Sequence, residues 1–217
     1  MPAASLPENE VDRLRALNEL RVLDTHAEVE FDALVQAAAL VCNVPISLIS
    51  LVDAERQWFK ANVGLPGATE TPRDVAFCAY AIHGEDIFEV EDATLDDRFS
   101  DNPLVLSNPN IRFYAGAPLR LSDGANVGTL CVIDSKPHKL DEKQRSILNS
   151  LAKAAVKALE SRRSLIDEQR TIQQMSRMSL ELLNSEWRFR ALSDASPLGI
   201  FSTDLNGKCT YTNTQWQ

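Results

Sequence analysis

The chain has 217 residues, of which 44% are hydrophobic, and this proportion excludes global disorder because it supplies a real core. Its formal net charge is −9, and no lysine–arginine cluster interleaves with aromatic residues, which excludes nucleic-acid binding through phosphates. No apolar run approaches the ~18 residues that a membrane span requires, and the N-terminal residues MPAASLPENE are not a signal peptide. We predict a soluble, cytoplasmic protein without nucleic-acid or membrane partners.

The chain carries no recognisable catalytic or metal-binding signature. Its four cysteines lie far apart and form no CxxC pair, a pattern that favours reduced, mostly buried thiols. The three histidines are scattered, and none stands at metal-ligand spacing from another ligand. The acidic group Asp92, Asp96 and Asp97 is interpreted as a solvated capping turn. We therefore assign no catalytic residue and no metal, and we predict that the chain is not an enzyme.

Two helices are predicted at the N-terminus. Apolar residues at helical spacing predict a short amphipathic helix over Pro7–Leu20. The spacing of Thr25 and Glu28 matches a capping box, which predicts that Thr25 is the N-cap of a second helix. This second helix is expected to end near Cys42.

A strand hairpin follows. Ile46–Val52 is predicted as a buried strand, and Gln57–Val63 pairs back with Trp58 and Phe59 on opposite faces. The next segment alternates loops with short elements, predicted as a loop over Leu65–Arg73, a short helix over Val75–His83, a strand over Ile87–Val90, an acidic turn over Asp92–Phe99 and an irregular stretch over Ser100–Asn110.

The stretch from Ile111 to Asp134 predicts a second hairpin at the centre of a sheet. Arg112–Leu121 and Val127–Ile133 are rich in β-forming residues, and the sequence SDGAN between them supplies turn residues. The second strand is apolar on both faces, so layers are expected on both sides. Gly116 and Gly128 fall inside these strands, where glycine marks either a close approach or a bulge.

The order of these elements and three motifs resemble a GAF domain over roughly Leu20–Leu159. The motifs are RDVAFCAYAI, EDATLDDRFSDNPLV and RFYAGAPL, and they resemble a bacterial subgroup found at the front of sensor kinases and diguanylate cyclases. The resemblance implies an α+β fold with a central antiparallel sheet of five or six strands. The first and last helices would cover one face, and short helices and loops would enclose a pocket on the other.

From Leu140 onward the sequence predicts a long helix. Apolar residues recur at intervals of seven (Leu151, Ala158, Leu165 and Ile172), an imperfect coiled-coil pattern. Packing on the sheet explains this stripe up to about Leu159. Beyond that point we predict a parallel homodimer through the helix.

The residues from Glu186 resemble the opening of a PAS domain. Such a domain needs on the order of 100 residues for its core, so the chain would hold only its start, and an output domain is expected beyond Gln217. The predicted organisation is an N-terminal helix over 1–22, a GAF domain over 23–159, a connecting coiled-coil helix over 160–186 and an incomplete PAS domain over 187–217.

The resemblance implies a ligand-binding pocket. Its lining would be Phe77, Cys78, Arg98, Phe99, Tyr114, Gly116 and Thr129. Arg98 would either pair with an anionic ligand or form an ion pair with Asp96, Asp97 or Asp101. The sequence identifies neither the small-molecule ligand nor a cofactor.

Two functions follow from the resemblance. The first is a sensory and regulatory input module that binds a small ligand or partner and relays the change through a dimeric helix to an output domain. The alternative is a small redox enzyme, similar to the GAF proteins that reduce free methionine sulfoxide, using Cys78. Cys78 would then have a lowered pKa near Arg73, whereas a structural thiol would be inert.

Overall fold

The computed structural model describes residues 3–216, and these divide into two compact units with the boundary between residues 164 and 165. The first unit contains α1 (Glu10–Glu19), α2 (Val29–Cys42), β1 (Ile46–Val52), β2 (Arg56–Val63), β3 (Glu70–Pro72), a 3-10 turn (Arg73–Val75), α3 (Cys78–Ala81), β4 (Phe88–Val90), α4 (Pro103–Leu106), β5 (Phe113–Arg120), β6 (Asn126–Asp134) and the first part of α5 (Glu142–Ala195). The second unit contains the rest of α5, β7 (Phe201–Thr203) and β8 (Cys209–Thr212). Within the described residues, no helix combines the length and the apolar character that crossing a membrane requires.

Six strands of the first unit form one antiparallel sheet in the order β3-β2-β1-β6-β5-β4. β6 pairs with β1 on one side and with β5 on the other, so the predicted central hairpin lies inside the sheet. Every residue of β1 is buried, because both faces of the sheet are covered. The predicted α+β fold class, with five or six antiparallel strands and a long C-terminal helix, is confirmed.

Different layers cover the two faces of this sheet. On the helix face, α1, α2 and the start of α5 pack their apolar side chains on the strands, as Leu17, Phe31 and Leu148 show. On the opposite face, α3, α4 and the loops around them form a second apolar cluster. Trp58 belongs to the first cluster and Phe59 to the second, so their predicted placement on opposite faces is confirmed.

The two strand glycines make room for different neighbours. A Cβ on Gly128 would lie 2.0 Å from the backbone oxygen of Ser50 on β1, so this glycine allows two central strands to approach closely. A Cβ on Gly116 would lie 2.2 Å from the hydroxyl of Tyr114, so this glycine gives space to an aromatic side chain on its own strand. Both positions are close approaches.

The predicted capping box is wrong. α2 begins at Val29 with Glu28 as N-cap, and no side chain caps it. Thr25 instead donates to the carbonyl of Val22, and both Thr25 and Glu28 accept hydrogen bonds from Lys60. The Lys60 ammonium is fully buried. Leaving a buried charge without hydrogen bonds costs more free energy than leaving a helix end uncapped, so the two oxygens bond to Lys60.

Two further short elements differ from the prediction. The segment Leu65–Arg73, predicted as loop, contains β3, which pairs with β2 at the edge of the sheet, where Pro72 is tolerated. The predicted helix Val75–His83 is a 3-10 turn followed by the four residues of α3. In the second unit, β7 and β8 form the predicted hairpin, but the assignment of these residues to a PAS domain stays a prediction.

Candidate functional site

On the face of the sheet opposite the helices, which we call the cavity face, the strands, α3, α4 and nearby loops surround a space of about 220 Å³. Apolar side chains make most of its wall, and two thiols and a few uncharged polar groups complete it. The lining residues are Leu48, Gln57, Phe59, Leu65, Ala68, Thr71, Phe77, Cys78, Leu104, Asn108, Pro109, Ile111, Tyr114, Cys131 and Ile133. We call this space the sheet cavity.

α4 and the loop after it form one wall of the sheet cavity, and Asn102 holds them in place. The side-chain oxygen of Asn102 accepts the N–H of Leu104 at 2.8 Å, which caps α4. Its side-chain amide donates to the carbonyl of Val75 at 3.0 Å, which ties α4 to the 3-10 turn. Asn102 is fully buried, so these bonds also satisfy its polar atoms.

A cluster of aromatic rings packs beside the sheet cavity. Phe77 stacks on Phe99 with ring centres 4.0 Å apart, and on Tyr114 at 5.2 Å. Phe88 of β4 packs against both Phe99 and Tyr114. Phe77 and Tyr114 line the sheet cavity, and Phe99 supports Phe77 from behind.

The thiol of Cys78 accepts two hydrogen bonds, from Thr129 at 3.0 Å and from Tyr114 at 3.2 Å. Burial raises the pKa of this thiol, but hydrogen bonds with Cys131, Thr129 and Tyr114 outweigh burial and lower the pKa to about 7. The hydrogen bond with Cys78, together with burial, raises the pKa of Cys131 well above its usual value. Of the two thiols that line the sheet cavity, Cys78 is therefore the more acidic.

Arg98 is engaged outside the sheet cavity. Its guanidinium forms two hydrogen bonds with the carboxylate of Asp96, at 2.9 and 2.6 Å, and lies over the rings of Phe88 and Phe99. Of the two interpretations of Arg98, the ion pair is the one present in the structure. Arg98 does not belong to the lining of the sheet cavity.

The structure thus separates the seven predicted site residues by position. Phe77, Cys78 and Tyr114 line the sheet cavity. Phe99, Gly116 and Thr129 position these three side chains from behind. That these residues bind a ligand stays a prediction. The redox alternative also stays a prediction, and its thiol, Cys78, is only 1% exposed.

Sequence reasoning missed two polar residues of the sheet cavity, Gln57 and Thr71. The two residues are partners across β2 and β3, and both line the cavity. The side-chain oxygen Oε1 of Gln57 and the hydroxyl Oγ1 of Thr71 are buried without a hydrogen-bond partner among the described residues. Alternation of side chains along the strand puts Gln57 on the same face as Phe59, and this signal could have identified Gln57. The prediction of a loop over Leu65–Arg73 left Thr71 outside the sheet.

An ion-paired cluster lies on the helix face, behind the sheet cavity. Glu28 accepts hydrogen bonds from Lys60 of β2 at 2.5 Å and from Arg162 of α5 at 2.9 Å. Burial raises the pKa of the Glu28 carboxyl, but the hydrogen bonds and charges of Lys60 and Arg162 lower the pKa by more, so the net shift is downward. Lys60 also donates to the carbonyl of His26 at 2.8 Å. This cluster joins a sheet strand to the C-terminal helix.

One named relative resembles nearly the whole chain. A cyclic di-GMP phosphodiesterase of Pseudomonas aeruginosa is 40% identical over 210 residues, which cover 94% of this chain and 36% of the relative. The chain thus spans about a third of that relative's length.

This relative corrects the prediction that the protein is not an enzyme, because it is itself named as an enzyme. The prediction rested on nucleophile, metal-ligand and nucleotide-loop signatures within the 217 residues. Such signatures report on local chemistry alone. They carry no information about an activity that a related, longer chain performs.

Solved structures share the fold at low sequence identity. The GAF domain of a phosphoenolpyruvate-protein phosphotransferase from Acinetobacter is 19% identical, with a TM-score of 0.51, over 72% of this chain and 96% of its own. A type II free methionine-R-sulfoxide reductase from Thermoplasma acidophilum is 15% identical, with a TM-score of 0.51, over 61% of this chain and 92% of its own. At these identities the likeness supports the fold and not the reductase activity.

The family itself is established by sequence. The sequence model of the family described as GAF domain matches residues 26–159, which is more than half of the chain. The sheet order, the helices on one face and the sheet cavity on the other agree with the fold that the resemblance implied. The chain belongs to the GAF domain family.

Proposed function

We propose that this chain is the sensory input module of a protein that acts on cyclic di-GMP, and that occupancy of the sheet cavity controls that activity through α5. The signalling context comes from the relative named a cyclic di-GMP phosphodiesterase. The observation that carries the proposal is that one strand, β2, borders the sheet cavity on one face and the Glu28 cluster on the other.

The link through β2 is direct. Phe59 lines the sheet cavity, and the next residue, Lys60, bonds to Glu28 on the helix face. The pairing of β1 with β2 passes from Phe59 to Ala61 at a register shift, so Lys60 is the extra residue of a bulge. A ligand that displaces Phe59 therefore also displaces Lys60, and Glu28 carries the displacement to Arg162 on α5.

A second link reaches the beginning of α5. Glu89 of β4 accepts the backbone N–H of Leu140 at 2.9 Å and forms an ion pair with Arg145. The neighbouring residue Phe88 packs against Tyr114, which lines the sheet cavity. The beginning of α5 is thus bonded directly to Glu89 of β4, whereas Arg162, further along the helix, is linked to Lys60 of β2 through Glu28.

The output of this relay is proposed to be a change in the pairing of α5 with a second copy of the chain. A row of apolar side chains on α5 is between 47% and 70% exposed, at Leu165, Ile172, Met175, Leu182 and Phe189. Burying each of them against a twin helix would contribute about 1.5–3 kcal/mol. Sedimentation of the chain should show a dimer that the double variant Leu165→Glu/Ile172→Glu dissociates. A monomer at tens of micromolar would contradict the dimeric relay.

The regulatory role is tested in a chimera in which this chain replaces the matching segment of the Pseudomonas aeruginosa relative. Leu104→Trp fills the sheet cavity, whereas Leu106→Trp on the same helix points outward and is the matched control. We expect Leu104→Trp to change the rate of cyclic di-GMP hydrolysis at least fivefold, roughly the lower end of typical allosteric coupling. Equal rates for the two tryptophan variants would contradict the proposal.

The same chimera tests the route. Arg162→Gln removes the bond between α5 and Glu28, and Arg170→Gln changes an exposed arginine on the same helix. Combined with Leu104→Trp in a double-mutant cycle, Arg162→Gln should abolish the effect of filling the cavity, and Arg170→Gln should preserve it.

A further inference from the structure

The sheet cavity holds two polar atoms that form no hydrogen bond with any residue in the described range 3–216. Gln57 is 5% exposed, and its Oε1 atom, a hydrogen-bond acceptor, has no partner among the described residues. The hydroxyl Oγ1 of Thr71 is also buried without a partner among the described residues. A hydroxyl can donate one hydrogen bond and accept others. An unsatisfied buried polar atom is costly, so a ligand that bonds to it gains affinity.

The two atoms are placed to bind one group together. Gln57 and Thr71 are register partners across β2 and β3, and directly opposed residues have Cβ atoms roughly 4.5–5.5 Å apart. Both side chains line the sheet cavity. A single hydroxyl group on a ligand can therefore donate to Gln57 Oε1 and accept from Thr71 Oγ1.

The remaining wall determines the charge of the ligand. None of the described residues that line the sheet cavity is a lysine, arginine, histidine, aspartate or glutamate, and Arg98 is paired with Asp96 elsewhere. A phosphate or carboxylate in this space would lose its hydration without a cation to compensate it. Nucleotides, including cyclic di-GMP itself, are therefore excluded as occupants.

The size of the sheet cavity sets the size of the ligand. Its volume is about 220 Å³, below the roughly 300–1,000 Å³ of pockets for drug-sized molecules. Dry apolar cavities of about 150 Å³ accommodate benzene. The aromatic walls from Phe59, Phe77 and Tyr114 favour a flat ring. The space thus fits one ring with a small substituent.

We propose that the sheet cavity binds an uncharged, single-ring hydrophobic molecule whose hydroxyl or N–H group bonds to Gln57 and Thr71. The proposal rests on the assignment of this cavity as the sensing site and adds the chemical class of the signal. The polar pair selects the donor group, and the apolar walls select the uncharged ring.

The first test uses the unmodified 217-residue chain and three para-substituted ethylbenzenes, of which the phenol and the toluene are nearly equal in shape. 4-Ethylphenol carries a hydroxyl, 4-ethyltoluene carries a methyl in its place, and 4-ethylbenzoate carries a negative charge. Isothermal titration calorimetry should show binding of 4-ethylphenol, weaker binding of 4-ethyltoluene and no binding of the benzoate. Tighter binding of the benzoate, or no binding of 4-ethylphenol, would overturn the proposal.

The second test locates the polar contact. In the double variant Gln57→Leu/Thr71→Val, the ratio of affinities for 4-ethylphenol over 4-ethyltoluene should fall about tenfold, since the hydroxyl loses its partners. Thr69→Val, an exposed change one position before β3, should leave the ratio unchanged. An unchanged ratio in the double variant would overturn the assignment of Gln57 and Thr71.

The two proposals fail separately. If Leu104→Trp alters the activity of the chimera but 4-ethylphenol does not bind, the ligand class is wrong and the regulatory role of the cavity stands. If 4-ethylphenol binds through Gln57 and Thr71 but filling the cavity changes no activity, the ligand class stands and the regulatory role is wrong.

Discussion

The two faces of the central sheet differ in how completely they are packed. On the helix face, three helices bury a continuous apolar cluster, and the charged Lys60 is fully bonded. On the other face, short elements leave a cavity of about 220 Å³ with two polar atoms that no described residue hydrogen-bonds. The contrast teaches that the tight packing of the helix face contributes most to stability, whereas the other face leaves the space in which we propose that a ligand binds.

The largest expected effect is a difference in the free energy of unfolding between alanine variants of two leucines of β1. Leu51 lies in the helix-face cluster, and Leu48 lines the sheet cavity. We expect Leu51→Ala to lower the free energy of unfolding by about 3–5 kcal/mol and Leu48→Ala by about 2 kcal/mol, because Leu48 already borders empty space. Urea denaturation measures both. Equal losses would show that the cavity face is packed as tightly as the helix face.

A smaller effect concerns the acidic end of the pH range. Burial raises the pKa of Glu10, but hydrogen bonds from Arg13 and Arg73 outweigh it and lower the pKa from 4.5 to about 2. A lowered carboxyl pKa stabilises the fold above pH 4.5, and this stabilisation is lost as the pH falls towards 2.

The Glu10→Gln variant isolates this effect. We expect it to be less stable than the unmodified chain by about 1–2 kcal/mol at pH 7, with the gap closing as the pH falls to 2. Unfolding curves at several pH values measure the gap, and Glu30→Gln on the exposed side of α2 is the control. A gap that stays constant with pH would contradict the role of Glu10.

The smallest expected effect is a difference in alkylation rate between two buried thiols. Burial and the nearby carboxylate of Asp141 raise the pKa of Cys42 on the helix face to about 11, whereas the pKa of Cys78 beside the cavity is about 7. In a Cys209→Ser background, which removes the exposed thiol, iodoacetamide should alkylate Cys78 faster than Cys42. Peptide mass spectrometry measures the two rates, and equal rates would contradict access through the cavity.

Most of the fold could be predicted because it depends on patterns that are local in sequence. The apolar run of β1, the turn residues between β5 and β6 and the alternation of Trp58 and Phe59 each determine a local structure that tertiary packing keeps. For Gly128 the sequence left a close approach and a bulge open, and the structure shows the close approach, to the backbone of Ser50.

The errors come from contacts between distant residues. Thr25 and Glu28 have the spacing of a capping box, but the side-chain oxygens of both accept hydrogen bonds from Lys60, more than 30 positions later. The polar pair of the cavity depends on the register of Gln57 with Thr71, which no local pattern specifies. Arg98 bonds to Asp96 two positions away, so its ion pair was foreseeable and its distance from the cavity was not.

The most direct test of the central claim is amide hydrogen exchange in the 217-residue chain with the sheet cavity filled by Leu104→Trp. If β2 links the cavity to α5, exchange should change around Glu28 and in residues 158–164, on the opposite face of the sheet from the substitution. Leu106→Trp, on the outward side of α4, should leave both regions unchanged. A change confined to the cavity face, or the same change in both variants, would contradict the account.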